Sequence, residues 1–267
     1  MTDTAIPVKT KHVLFCHCGG ERIQADLLRM IDEHLKKMPV IVTRFSDLCG
    51  IVALRRDLLS ALFNADAEYL VVGCHLRTMN LLFEQVEEQA GKPSGFSHIN
   101  LFESTPDQAL DSINRFCCNG EGNTVYHEIT EDSGWPSWYP VIDYKRCSAC
   151  GQCADFCLFG VYEKNPNGVQ VINPQGCKNN CPACARICPQ AAIVFPKYKQ
   201  GGAIGGSEKI DEIAEQSRQT RDIREILGGD IYNALEGRKI KRKSIILQEA
   251  MRRAQDERNM AIRENRH

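Results

Sequence analysis

Two groups of closely spaced cysteines occupy the middle of this chain. They read Cys147-x2-Cys150-x2-Cys153-x3-Cys157 and Cys177-x3-Cys181-x2-Cys184-x3-Cys188-Pro189. A cubane iron–sulfur cluster needs four thiolates, and one tight loop can supply three of them when they recur every third or fourth residue. The same spacing occurs twice, so the sequence predicts two [4Fe-4S] clusters.

Zinc sites or disulfides are the alternative uses of these cysteines. Paired C-x2-C spacings also suit zinc, but zinc normally takes its four ligands as two pairs, whereas each group here has three close cysteines and a fourth. The first ten residues contain no apolar core and no cleavage-site pattern, so export is not indicated. We therefore expect a cytoplasmic protein whose 14 cysteines stay reduced, in a cell that keeps oxygen away.

Residues 141–198 resemble bacterial ferredoxins that carry two [4Fe-4S] clusters. In that fold the fourth cysteine of each group binds the other cluster. The resemblance implies one cluster held by Cys147, Cys150, Cys153 and Cys188, and a second held by Cys177, Cys181, Cys184 and Cys157. Leu158 stands where a proline usually follows the first group, and the Cys177–Cys181 spacing is one residue longer than usual. Neither departure removes a ligand, so we expect both clusters to form.

Upstream of these groups, short apolar runs alternate with amphipathic stretches. The alternation predicts an α/β domain over residues 1–118, with a parallel four-stranded sheet and flanking helices. The predicted strands are His12–Cys16, Val40–Phe45, Tyr69–Gly73 and Ile99–Phe102. The predicted architecture continues with an α+β ferredoxin-like domain over 141–198 and ends with a helical tail.

Four further cysteines lie at or just beyond the ends of three predicted strands. They are Cys16, Cys18, Cys49 and Cys74. The carboxyl ends of parallel strands share one edge, where ligands bind in such sheets, so we expect these thiols to converge. The alternative is that they are small core residues, because cysteine outside disulfides is among the most often buried residue types. His17 and His75 are neighbouring candidates for extra ligands or proton carriers.

The residues around these cysteines form recognisable stretches. They are Phe15-Cys16-His17-Cys18-Gly19-Gly20, Asp47-Leu48-Cys49, and Val71-Val72-Gly73-Cys74 with its continuation to Phe83-Glu84. About the first 105 residues thereby resemble the N-terminal domain of the heterodisulfide reductase A subunit family. That domain carries its own [4Fe-4S] cluster and sits beside ferredoxin-like modules in flavin-based electron-transfer complexes. The resemblance implies a third cluster on the four N-terminal cysteines, which would otherwise be redox thiols.

The chain lacks the FAD domain of those A subunits. No strand is followed by the G-x-G-x-x-G fingerprint of dinucleotide binding, so we predict no FAD or NAD site. The nearest stretch, Gly201–Gly206, has the wrong spacing and follows no apolar strand. Its composition predicts a flexible linker.

The remaining segments are predicted to connect domains and to dock partners. Residues 119–140 read as a linker whose Trp135, Trp138 and Tyr139 pack against the ferredoxin domain. Residues 199–267 read as a Gly-rich linker and a tail of two helices broken at Gly228-Gly229, the second strongly basic. The tail is either a solvated helix with charge pairs or a docking arm for an acidic partner.

Composition limits the remaining functions. The 267 residues suffice for one or two domains, and the net charge of -1 gives no general affinity for nucleic acid. No run approaches the roughly 18 apolar residues of a membrane span.

The leading hypothesis is an electron-transfer subunit. It would relay low-potential electrons to or from a partner in a heterodisulfide-reductase-like complex, and the partner, a flavoprotein, hydrogenase, formate dehydrogenase or thiol–disulfide reductase, would perform the catalytic step. One alternative is a stand-alone thiol/disulfide-type reductase that uses the N-terminal cysteines. Another is a nucleic-acid-binding protein with structural clusters, which the lack of aromatic residues in the basic tail disfavours.

Overall fold

The computed structural model describes most of the chain. The described residues are 10–18, 22–63, 67–86, 96–118, 123–130, 133–166, 168–227, 233–241, 244–245, 248–249 and 252. They divide into two compact units, each made of two chain segments. The first unit runs to Ser137 and includes Pro196–Ile210, and the second comprises Trp138–Phe195 and the described residues from Asp211 onward.

The first unit is an α/β structure built on a five-stranded sheet. Its strands are β1 Thr10–Cys16, β2 Ile41–Phe45, β3 Ala67–Gly73, β4 Ser97–Asn100 and β5 Val125–Ile129, in the order β4-β3-β1-β2-β5. All four pairings are parallel. The helices are α1 Ala25–Leu35, α2 Leu48–Leu54, α3 Arg56–Ser60, α4 Leu76–Glu84 and α5 Pro106–Cys117. The predicted α/β class is therefore confirmed.

The sheet has one strand more than the four predicted. The additional strand, β5, lies inside the segment 119–140 that was predicted to be a linker. Among the described strands it pairs only with β2, at the edge of the sheet, and none of its residues is fully buried. An edge strand of this kind lacks the apolar run that marks the central strands, and for this reason the sequence pattern did not reveal it.

One hydrophobic cluster of the first unit lies between the sheet and the helices α1 and α5. Strand β1 lies at the centre of the sheet, and its last five residues are buried. Leu28 and Ile31 of α1 and Ile113 of α5 pack with Val13 and Phe15 of that strand in one cluster. Helix α5 begins at a capping box in which the Thr105 hydroxyl accepts the Gln108 backbone N–H.

A buried histidine makes the first unit sensitive to acid. The Nε2 atom of His12 lies 2.8 Å from the Thr43 hydroxyl, and burial, aided by the charge of His127, lowers the pKa of His12 to about 4. The folded state therefore favours the neutral ring. This contribution to stability is fully present above pH 6.5 and is lost as the pH falls from 6.5 towards 4. The full shift corresponds to about 3 kcal/mol.

We expect the urea midpoint of the protein to fall between pH 7 and pH 5, and to fall less in the His12→Gln variant. Both proteins contain the same cysteines, so any acid effect on bound metal is common to the pair. Equal falls in the two midpoints would contradict the assignment to His12.

The second unit is built from short elements. Its antiparallel pairs are β6 Val141–Ile142 with β9 Ile193–Val194, and β7 Tyr162–Asn165 with β8 Gly168–Val171. Its helices are α6 Gln152–Phe156, α7 Ala183–Arg186 and α8 Glu212–Leu227, with a 3-10 turn at Pro174–Gly176. Trp138 stacks on Phe195 at a centroid distance of 5.0 Å, and Tyr139 is 2% exposed. These two aromatic residues therefore belong to the core of the second unit.

Residues Gly201–Gly206 are folded, so the prediction of a flexible linker there was wrong. The Gly205 backbone N–H donates to the Gly201 carbonyl at 3.0 Å, and Ala203 and Ile204 are buried. Gly201 has a φ of 68°, which favours glycine, and a Cβ on Gly205 would lie 2.7 Å from the Gly201 Cα. The glycines permit a tight turn, whereas the composition alone suggested disorder.

The first tail helix, α8, is held against other parts of the second unit by ion pairs. Arg186 Nη2 lies 2.7 Å from Asp222 and 3.1 Å from Glu225, and Arg146 Nη1 lies 2.9 Å from Glu212. Of the two alternatives for the tail, the docking arm supposed that a charged helix with few apolar residues gains little by folding back. The acidic residues of α8 instead find arginines beside the cysteine groups. Gly228 and Gly229, the predicted break, lie outside the described residues.

Replacement of Arg186 by glutamine should loosen α8. Arg186 joins Asp222, whose side chain is only 11% exposed, to Glu225, so its loss removes two charge-assisted hydrogen bonds and should cost about 2 kcal/mol, although Asp222 keeps its ion pair with Arg218. Amide hydrogen exchange within α8 should then accelerate roughly 30-fold. Arg224→Gln, at an exposed position of the same helix, is the control and should leave exchange unchanged. Unchanged exchange in Arg186→Gln with full iron content would show that the ion pairs do not hold α8.

Within the described residues, no helix is both long enough and apolar enough to cross a membrane.

Candidate iron-sulfur centres

A cavity of about 250 Å³ in the second unit is lined by four cysteines. They are Cys157, Cys177, Cys181 and Cys184. Much of the remaining wall is apolar and includes Phe156, Leu158 and Phe159. Burial, followed by the charges of Cys157 and Cys181, raises the pKa of Cys177 to about 12. The structure thus brings the last cysteine of the first group to the three leading cysteines of the second.

The other four ferredoxin-type cysteines also come from both sequence groups, and their charges affect one another's pKa values. Burial raises the pKa of Cys153 to about 12, and the next cause is the charge of Cys188, ahead of Cys150 and Cys147. The pKa of Cys188 is also raised by burial and by the charges of Cys150 and Cys147. Cys188, the last member of the second group, therefore lies with the three leading members of the first. The charge of Cys153 also raises the pKa of Cys184, but the charge of Cys157 raises it more.

The backbone of the two loops turns sharply between the cysteines. Ala149 and Gly151 have φ values of 56° and 77°, so the chain bends on both sides of Cys150. In the second loop Asn180 has a φ of 58°, and the Cys181 N–H donates to the Lys178 carbonyl at 3.1 Å. This turn accommodates the additional residue of the second group, because asparagine tolerates the left-handed conformation.

Two hydrogen bonds to sulfur were not predicted from the sequence. The Tyr162 hydroxyl donates to Cys184 Sγ at 3.1 Å, and the Ala192 N–H donates to Cys188 Sγ at 3.4 Å. Tyr162 is 5% exposed, and a buried tyrosine hydroxyl needs a partner. No spacing rule marks either donor, since strand β7 and the turn before β9 bring them to the cysteines.

The four N-terminal cysteines line a second, smaller cavity of about 20 Å³. Strands β3, β1 and β2 are neighbours in that order, so their carboxyl ends share one edge. Cys16 ends β1, Cys74 follows β3 directly, and Cys49 lies in the first turn of α2. Cys18 follows two residues after Cys16. The expected convergence is therefore observed.

The N-terminal thiols have unequal pKa values. A hydrogen bond with Cys18 is the main reason that the pKa of Cys16 is lowered, and the backbone N–H groups of Cys18 and Leu48 lower it further. The same side-chain bond, followed by burial, raises the pKa of Cys18. Burial is the main cause of the raised pKa values of Cys49 and Cys74. Cys18, Cys49 and Cys74 each respond to the charge of at least one other thiol, and Cys16 responds to its hydrogen bonds with Cys18, so the four form one interacting group.

A charged residue from a distant part of the chain completes the wall of this cavity. Lys197 lines it, and its Nζ lies 2.5 Å from Asp47 and 3.1 Å from the Pro136 carbonyl. The other carboxylate oxygen of Asp47 accepts the Gly50 N–H and caps α2. Lys197 was not predicted to belong to this site, because it lies in the predicted ferredoxin domain and no motif links it to the N-terminal strands.

The two histidines beside these cysteines do not line the cavity. His17 Nδ1 lies 3.1 Å from Arg44 Nη2. His75 Nδ1 lies 3.4 Å from Glu208 Oε2 and 3.2 Å from Asn100 Nδ2. Both rings have a pKa lowered by burial. They are placed to pack and to hydrogen-bond around the site rather than to join the thiols.

The chain is similar to three proteins of Methanocaldococcus jannaschii. An uncharacterized ferredoxin is 47% identical over 64 residues, which are 24% of this chain and 44% of that protein. The pyruvate synthase subunit PorD is 34% identical over 72 residues, 27% of this chain and 79% of PorD. A second uncharacterized ferredoxin is 33% identical over 61 residues, 22% of this chain and 79% of that protein.

The matches thus span less than half of the first relative and about four fifths of the other two. No protein-family model matches the chain, and no solved structure matches it significantly.

Proposed function

Because this chain belongs to the ferredoxin family, we propose that it is an electron-transfer subunit that relays low-potential electrons through two [4Fe-4S] clusters in its second unit. The single observation that carries the proposal is the shared cavity of Cys157 with Cys177, Cys181 and Cys184. This is the crossed ligand set that two-cluster ferredoxins use.

The residues of the second unit fit two such clusters. Four thiols line one cavity of about 250 Å³, and the other four form a separate electrostatic set. When bound, a [4Fe-4S] cluster accepts and releases electrons at a potential set by its charge, its hydrogen bonds and its exposure. Tyr162 and Ala192 supply hydrogen bonds to sulfur, and Phe156 and Leu158 contribute apolar surface to the wall of the cavity.

We extend the proposal to a third cluster held by Cys16, Cys18, Cys49 and Cys74. What supports it is that the four thiols line one cavity at the ligand-binding edge of a parallel sheet. Cys74 also lies two residues before α4, whose N-cap is His75, and the start of a helix presents unpaired backbone N–H groups that favour anions. The set corresponds to the one that the heterodisulfide reductase A resemblance implies.

The partner is proposed to be a flavoprotein or another redox enzyme subunit in a heterodisulfide-reductase-like complex. The relative PorD is a subunit of pyruvate synthase, which supports a role inside an enzyme complex. In the basic half of the tail, the Arg238 guanidinium lies over the Phe156 ring, with Cζ 4.1 Å from the ring centroid. The proposed docking surface is therefore the exposed side of α8 and of the basic residues that follow it, rather than a separate arm.

Anaerobic reconstitution with iron and sulfide tests the function. We expect about twelve irons per chain, which is four for each of three clusters, and reduction by about three electrons in a dithionite titration. The reduced protein should then return these electrons to a viologen dye. A reconstituted protein that holds its irons but exchanges no electrons would rule out the relay.

A thiol–disulfide reductase is the second candidate. The observation in its favour is the Cys16–Cys18 hydrogen bond, which lowers the pKa of one thiol and raises that of its neighbour. A reductase of this kind would hold about eight irons and retain N-terminal thiols that react with a thiol reagent.

A further inference from the structure

Arg22 occupies an unusual position in the loop that follows β1. Its guanidinium lies over the Phe102 ring, with Cζ 3.7 Å from the ring centroid, and Phe102 itself lines the N-terminal cysteine cavity. On another side it meets the Gly-rich turn, where a Cβ on Gly201 would come within 3.0 Å of Arg22 Nη2. The absence of a side chain at Gly201 leaves room for this guanidinium.

One nitrogen of Arg22 is buried without a partner. Among the described residues, nothing accepts a hydrogen bond from Nη1. A buried donor on a charged group costs several kcal/mol when it is left unpaired, so such atoms normally face a ligand or an ion. Burial lowers the pKa of Arg22, and the opposing influence is the negative charge of Cys74. The unpaired cation therefore lies against Phe102, a residue of the cavity that the four thiols line.

The other cation at this site is already neutralised. Lys197 lines the cavity near Cys49 and Cys18, but its ammonium forms an ion pair with Asp47. Arg22 instead has a buried nitrogen, Nη1, that makes no hydrogen bond among the described residues. Arg22 therefore supplies the uncompensated positive charge of the site.

We infer that Arg22 is a positioning residue that compensates the negative charge of a cluster on the four N-terminal cysteines and raises its reduction potential. The inference rests on the proposed third cluster. Its physical basis is that net charge and hydrogen bonds to sulfur set the potential of such clusters. The guanidinium of an arginine that stacks on an aromatic ring stays charged and keeps a fixed orientation. Its unpaired N–H group therefore points in a fixed direction.

The test measures the one-electron potential of the third cluster in full-length protein by an EPR-monitored redox titration. The spectrum of a Cys49→Ala, Cys74→Ala variant is subtracted to isolate that signal. In Arg22→Gln the equilibrium constant for reduction should fall at least tenfold, which corresponds to 59 mV towards lower potential. Arg22→Lys keeps the charge, and its equilibrium constant for reduction of the third cluster should stay within tenfold of the wild-type value. Arg29→Gln, at an exposed position on α1, should leave the potential of the third cluster unchanged.

The outcomes separate the inference from the proposed function. If the wild-type protein holds only eight irons, the third cluster does not exist and this inference fails with it. Twelve irons with an unchanged or higher potential in Arg22→Gln would overturn the inference alone. If Arg22→Gln does not assemble the cluster, assembly in Arg22→Lys would show that the charge is required. Loss of the cluster in both variants would overturn the inference, because a purely structural role would then explain them.

Discussion

Replacement of Cys153 and Cys157 together by alanine is expected to remove both clusters of the second unit, although these residues belong to the same sequence group. Cys157 lines the cavity of Cys177, Cys181 and Cys184, whereas Cys153 responds to Cys188. Each substitution therefore takes a ligand from a different cluster. Iron analysis should show a loss of about eight irons per chain, with the corresponding visible absorption.

The matched double variant is Cys153→Ala with Cys188→Ala. These two residues belong to different sequence groups but to the same crossed set. It should lose only about four irons. Uncrossed binding predicts the reverse, with about four irons lost from the first variant and eight from the second, so the pair decides the connectivity even if single variants assemble poorly.

Replacement of Cys49 and Cys74 by alanine should remove about four irons and leave the two clusters of the second unit intact. The two thiols lie beyond β2 and β3, on either side of the central strand β1, and line one cavity with Cys16 and Cys18. Two thiolates are too few to hold the cluster firmly. The EPR signal of the remaining clusters should persist, which shows that the second unit is still folded.

Cys117→Ala with Cys118→Ala is the control for this experiment. Both cysteines are in the first unit, at the end of α5, and neither lines the cavity. The control should retain every iron. If the Cys49 and Cys74 variant also retained every iron, the third cluster would be excluded and the reductase would become the leading function.

The sequence predicted those features that depend on periodic or local patterns. Buried parallel strands read as continuous apolar runs, and their shared edge follows from the topology, so the meeting of Cys16, Cys49 and Cys74 could be anticipated. Through the ferredoxin resemblance the cysteine spacing also predicted the crossed ligand sets, which the iron counts of the two double variants test. Strand β5 was missed because its residues are exposed or half-buried at the sheet edge.

Other features depend on contacts between residues that are far apart in the chain. Arg22, Lys197 and Tyr162 reach the cysteine sites through the folded structure, and a single sequence shows no spacing that would connect them. Gly201–Gly206 illustrates a different limit. Glycine serves flexible linkers and tight turns equally well, so composition could not distinguish them until the buried Ala203 and Ile204 showed a folded segment.

The first unit consists of two chain segments that are translated at different times. A chain is made from its N-terminus, so Cys16, Cys18, Cys49 and Cys74 leave the ribosome well before Lys197 and the Gly-rich turn that complete their surroundings. The whole ferredoxin-like segment is translated in between. Metal delivered to the N-terminal thiols during synthesis would therefore meet an open site, which closes only after residues 196–210 have been translated.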